Sequence, residues 1–166
     1  MKFEGTVYKF GDNINTDLII SGRYKFSISD MKELSRYLFE DIRPNFYNQI
    51  VAGSSIIVGG INFGLGSSRE QAPWVIKEAG IICVIAKSFA RIFYRNAYNI
   101  GLPLIEVDTD SLNEGDRISV DLEEGVISKI GSNEVLRFIP FDNFRKELIR
   151  LGGIINYLKK YGDLKL

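Results

Sequence analysis

Apolar positions follow two rhythms along this chain, and the rhythm changes from segment to segment. "FEGTVYKFG" (3–11) alternates and ends in glycine, the pattern of a half-buried strand. "DNINTDLII" (12–20) is a polar loop running into an apolar segment. "ISDMKELSRYLF" (28–39) has Asp30 at a capping position and Met31, Leu34 and Leu38 spaced for one helix face. "SSIIVGG" (54–60) reads as a short buried strand that ends in glycines. "SREQAPWVIKEAG" (68–80) predicts a helix with Ala72, Val75, Ile76 and Ala79 on one face and Gly80 as its stop. Pro73 loosens that helix if it starts at Ser67, and costs little if it starts nearer Gln71.

"IICVIAKS" (81–88) begins fully apolar, as a strand covered on both faces does. "FARIFYRNAYNIG" (89–101) predicts a second helix closed by Gly101, with Phe89, Ile92, Phe93 and Ile100 toward the core. "LPLIEVD" (102–108) is a further strand. "RISVDLEEGVISKIGSNEVLRFIP" (117–140) alternates around "EEG" and "GSN" turns and predicts a β-meander. The tail (141–162) reads as two short helices broken at Gly152-Gly153. The expected class is α/β: a parallel strand–helix unit plus a meander, in one domain over 1–166.

Composition narrows the chemistry. The 21 basic and 21 acidic residues cancel, which removes the long-range field of a nucleic-acid binder. Histidine is absent, so proton transfer must use another group. Cys83 stands alone in an apolar run, so no disulfide can form within the chain, and a cytoplasmic setting is expected. The apolar runs fall short of the roughly 20 residues that span a bilayer. The first residues carry charge where a signal peptide needs an apolar stretch. The expectation is a soluble protein with no membrane partner.

Chemistry concentrates in "INFGLGSSREQAP" (61–73). Gly64 and Gly66 let the backbone approach a bound group, Ser67 and Ser68 add hydroxyl donors, and Arg69 adds a planar fork for a carboxylate or phosphate. Following a strand and opening a helix, this loop suits a small anion. It lacks the lysine of a Walker loop, and arginine replaces the third glycine of a dinucleotide fingerprint, so a small carboxylate fits better. Ser67 with Glu70 also spells a capping box, which is compatible with an anion site. In "KSFARIFYRNAYNIGLPL" (87–104), Arg91 and Arg95 share a helix face with Asn96 and Asn99 beside them. That face is either a solvated edge or a polar wall beside the loop.

Together "GLGSSREQAP" and "AKSFARIFYRNAYNIGLPLIE", with "VYKFGDNINTDLIISGRY" and "GGIINYLKKYG" at the ends, resemble the small subunits of isopropylmalate isomerase and homoaconitase. That family corresponds to the swivelling fourth domain of aconitase, and the resemblance covers nearly the whole chain. It implies a swivelling β/β/α domain. It also implies a two-subunit hydro-lyase that moves a hydroxyl between adjacent carbons of a malate-type acid through an alkene. The large subunit would carry a 4Fe-4S cluster, with no metal on this chain. Ser67 would be the base, acting as an alkoxide on the substrate C–H, and Ser68 and Arg69 would bind substrate carboxylate. Leu65 and Gln71 depart from the cysteine and histidine of many relatives, outside the serine–serine–arginine trio.

The loop "SGRYKFSIS" (21–29), with Arg23, Tyr24, Lys25 and Phe26, would help select the substrate's variable group. Phe26 stands where homoaconitases can carry an arginine and suits an isopropyl group, while Arg23 and Lys25 lie close by. Isopropylmalate is therefore the expected substrate. A homoaconitase small subunit and a dicarboxylate-binding regulatory module are the alternatives.

Overall fold

The computed structural model describes residues 1–164. Its centre is a seven-stranded mixed sheet in the order β4-β3-β2-β1-β5-β6-β7. The strands are β1 (Lys2–Lys9), β2 (Ser55–Val58), β3 (Ile81–Ala86), β4 (Leu104–Glu106), β5 (Arg117–Asp121), β6 (Val126–Lys129) and β7 (Val135–Arg137). β1 to β4 run parallel, and β5 to β7 are the antiparallel meander, joined to β1 through the register Phe3↔Val120 and Gly5↔Ile118. The parallel unit and the meander thus form one continuous sheet, with β1 as the seam.

Alternation along the strands assigns two cores. Ile57, Val84, Ala86 and Leu104 face the helices, while Ile56, Val58, Cys83, Ile85 and Ile105 face Ile118, Val120, Ile127 and Phe141. The helices are α1 (Thr16–Ile19), α2 (Gly22–Lys25), α3 (Met31–Ser35), α4 (Gln71–Glu78), α5 (Arg91–Asn99), α6 (Asn143–Leu151) and α7 (Ile154–Tyr161). Apolar residues of α4 and α5 pack in the first core. Cys83 is a buried core residue, and burial raises its thiol far above the usual range.

Local signals mostly hold. Asp30 caps α3, accepting from the Glu33 N–H at 2.8 Å. That helix ends at Ser35, and turns carry the chain on to Phe39. α4 begins at Gln71, so Pro73 sits in its first turn, where no backbone donor is needed. The segment expected to be loop before Leu18 is a capped turn of helix: the Asn15 side chain accepts from the Leu18 N–H at 2.9 Å. Ile92 was expected in the core and is 43% exposed, while Phe93 and Ala97 are buried. Among the described residues no helix is long and apolar enough to cross a membrane.

Candidate functional site

Beyond the C-terminal ends of the parallel strands, three loops are laced together by backbone hydrogen bonds. Gly64 N–H donates to the Ile14 carbonyl at 2.7 Å, and Thr16 N–H to that of Leu65 at 2.9 Å. On the other side Phe63 N–H donates to the Ser88 carbonyl and Ala90 N–H to that of Phe63, both at 3.0 Å. The loop after β2 is therefore clamped between the loops after β1 and β3. Gly64 is needed for this packing: its φ is +83°, and a Cβ there would lie 2.2 Å from Cγ of Phe93. Gly66, at φ +103°, has ordinary room around it. The glycine pair thus serves the fit of loop against α5 at one position and the turn itself at the other.

This clamp opens a cavity of about 620 Å³, lined by Thr16, Ser67, Ser68, Arg69 and the first turn of α5 with Arg95 and Asn96. The serine–serine–arginine trio and the Arg91/Arg95 face, separate in sequence, share one wall-to-wall site. The arrangement corrects two sequence-level readings. Ser67 does not cap α4, whose cap position is Glu70 with no side-chain cap bond. The uncapped helix start lining the cavity belongs to α5, through Ala90, Arg91, Ile92 and Phe93. Its positive dipole end, rather than that of α4, faces the site.

Thr16 and Asp17 complete the site and were not singled out in the sequence. Thr16 is buried; its Oγ1 donates to the Ser67 carbonyl at 3.1 Å and lies 3.4 Å from Ser67 Oγ. Asp17 forms an ion pair with Arg69. That contact is not an aligned hydrogen bond, and the buried Nη1 of Arg69 keeps a donor to offer. The only local signal was the "NTD" triplet, because both residues reach the site from some 50 positions away.

Arg69, Arg91 and Arg95 line the cavity; Asp17 pairs with Arg69 from outside the lining, and no carboxylate of the described residues lines the cavity itself. Among the described residues neither Arg91 nor Arg95 has a carboxylate partner, in a chain whose charges balance overall. Such a site favours an anion, and it favours the ionised form of a hydroxyl held inside it.

The 21–29 loop is not brought to this cavity. Arg23 pairs with Asp41 and lies over the Tyr24 ring at 4.7 Å, and Tyr24 stacks on Tyr37 at 4.2 Å. Lys25 lies over Phe26 at 5.2 Å, and Phe26 is 81% exposed. None of the four lines the cavity.

Comparison with known proteins matches residues 36–109 to the family described as Aconitase C-terminal domain. The chain is 50% identical over 160 residues to 3-isopropylmalate dehydratase small subunit 1 of Thermotoga maritima, covering 96% of each. It is 46% identical over 166 residues to small subunit 2 of the same enzyme from Archaeoglobus fulgidus, covering 100% of each. The crystal structure of 3-isopropylmalate dehydratase from Methanocaldococcus jannaschii superposes with a TM-score of 0.91 at 43% identity, over 98% of this chain and 96% of that one.

Proposed function

Because this chain belongs to the family of 3-isopropylmalate dehydratase small subunits, we propose that it is the small half of a two-subunit hydro-lyase of leucine biosynthesis. The enzyme interconverts 2-isopropylmalate and 3-isopropylmalate through 2-isopropylmaleate. A proton leaves one carbon, the hydroxyl leaves its neighbour as water, and the alkene takes water back with the two positions exchanged. We read residues 1–166 as one swivel-type domain, working in the cytoplasm.

The observation that carries the reading is the shared cavity, in which Ser67, Ser68 and Arg69 meet the start of α5 with its two arginines, Arg91 and Arg95. In our reading Ser67 takes the substrate proton. A serine hydroxyl ionises only with help, and the cationic wall and the α5 dipole both stabilise its anion. Thr16 has one hydroxyl proton and two acceptors in reach, the Ser67 carbonyl and Oγ. Turned to Oγ, that proton would further stabilise the alkoxide. Ser68 and the spare donor of Arg69 hold a substrate carboxylate. The 21–29 loop would meet the substrate's variable group only from the rim, once the partner closes the site.

We place the 4Fe-4S cluster on the large subunit, where it would supply Lewis-acid chemistry toward the substrate. Such clusters take several thiolates, and the residues here do not fit one: Cys83 is alone and buried. Among the described residues no three Cys, Asp or Glu side chains come together to hold a metal.

The test is reconstitution. Purified alone, the chain should not convert 2-isopropylmalate; mixed with the large subunit of the same organism, it should. Turnover by the isolated chain, or none by the pair, overturns the reading.

A further inference from the structure

A second cavity, of about 360 Å³, opens beside the first and shares Asn96 with it. It lies between α4, α5 and the start of α7, lined by Trp74, Ile154 and Ile155, with Glu70 and Asn99 as polar neighbours. Arg91, Arg95 and Asn99 stand at i, i+4 and i+8 on α5, a row about 12 Å long that leads from the first cavity to the second. Three large apolar side chains border this strip in contact with solvent: Ile92, Trp74 (37% exposed) and Ile155 (66%).

The strip is costly in the isolated chain. Like charges at i and i+4 on a helix repel, and among the described residues neither arginine is in an ion pair with a carboxylate. Both arginines line the first cavity and are exposed, and the row runs on past it through Asn99 to the second cavity. The strip is continuous with the cavity mouth, where Arg91 and Ile92 sit. Any chain that closes over Ser67 must cover that mouth.

We propose that this strip is the docking surface for the large subunit. The partner presents carboxylates to Arg91 and Arg95 and an apolar side chain to the groove at Trp74 and Ile155. The inference rests on the functional reading above, since it takes the cluster-bearing subunit as the occupant.

The experiment measures the Kd between this chain and the large subunit by sedimentation velocity at two salt concentrations. Arg95→Glu should weaken association roughly tenfold or more, and lose most of the salt dependence that the parent shows. Ile155→Asp should weaken it by a similar factor, with turnover recovered when the large subunit is saturating. Arg95→Ala gives the same direction should the reversal disturb folding. Ile139→Asp, at an 82% exposed position beside β7, should associate like the parent. Parent-like association of Arg95→Glu and Ile155→Asp overturns the inference, and assigns the arginines to the substrate instead. Equal weakening by Ile139→Asp overturns it as well. Failure of the parent chain itself to associate overturns the functional reading first.

Discussion

In the meander, Lys129 lies between Asp116 at 3.0 Å and Glu134 at 3.3 Å, and Lys146 of α6 is 3.5 Å from Glu123 in the β5–β6 turn. On α5, in the parallel half, Arg91 and Arg95 stand four residues apart with no carboxylate partner among the described residues. Both regions are solvent-accessible and belong to one charge-balanced chain, so the contrast is local. Where Lys129 and Lys146 find carboxylates within the chain, Arg91 and Arg95 are left for a visitor. The Lys129 ion pairs close within the meander, and in our reading the cavity end is half of a structure that another molecule completes. Side chains that face the cavity should therefore act on activity, while the meander's ion pairs act on stability alone.

The largest effect should come from Ser67→Ala in the assembled enzyme. Loss of a positioned base costs about a hundredfold to ten-thousandfold in kcat. The melting temperature should hardly move, because the exposed serine caps no helix, and surface changes stay within about 0.5 kcal/mol. A destabilised but active Ser67→Ala would erase the contrast. Arg69→Lys comes next. It keeps the charge and loses the fork, so KM should rise roughly tenfold to a hundredfold, the equivalent of one charged hydrogen bond. An unchanged KM would remove Arg69 from the substrate.

Gly64→Ala tests whether the clamp is structural. At φ +83° and pressed against Phe93, the added methyl should cost about 1–3 kcal/mol of stability, seen as a lower denaturant midpoint. A midpoint equal to the parent's would show that the loop can relax away from α5.

The smallest effect belongs to the meander. Burial alone would raise the Asp116 carboxyl, but the Asn113 N–H and the Lys129 ammonium outweigh it and hold the group below the usual carboxylate range. A depressed folded-state pKa contributes stability above the unfolded value of about 3.9 and loses it as pH falls through the folded value. Thermal melts should therefore decline more gently between about pH 5 and pH 2 in Asp116→Asn than in the parent. Turnover at neutral pH should be unchanged. A loss of activity in Asp116→Asn would couple the two ends of the sheet.

What the sequence disclosed and what it hid divide along the same physical line. Signals confined to a few neighbouring residues were legible: the unbroken apolar run of β3, the turns of the meander, Asp30 as a cap, the Gly152-Gly153 break. The site's loop was legible too, since glycine, serine and arginine together carry chemistry in one short window. Its partners were not. Thr16 and Asp17 arrive from the loop after β1, and no local pattern says which distant loop will be clamped to which. The capping box failed because Ser67 is spent on contacts with Thr16 while α4 waits until Gln71. Ile92 misled because 92 and 93 both satisfy helical spacing from Phe89, and only packing decides that Phe93 takes the core.

The place of β1 carries a consequence for how the molecule forms. This strand is the seam of the sheet: one edge pairs with β2, and the other with β5, more than a hundred positions further along. Pairings so distant must close a long loop before they gain anything, which slows folding. During synthesis, at about 5–20 residues per second, β1 and the Thr16 turn emerge early, and β1's second edge stays open until residues 117–121 follow. For those seconds the chain exposes an unsatisfied strand edge, and chaperone capture or misassociation of nascent chains should peak in that window.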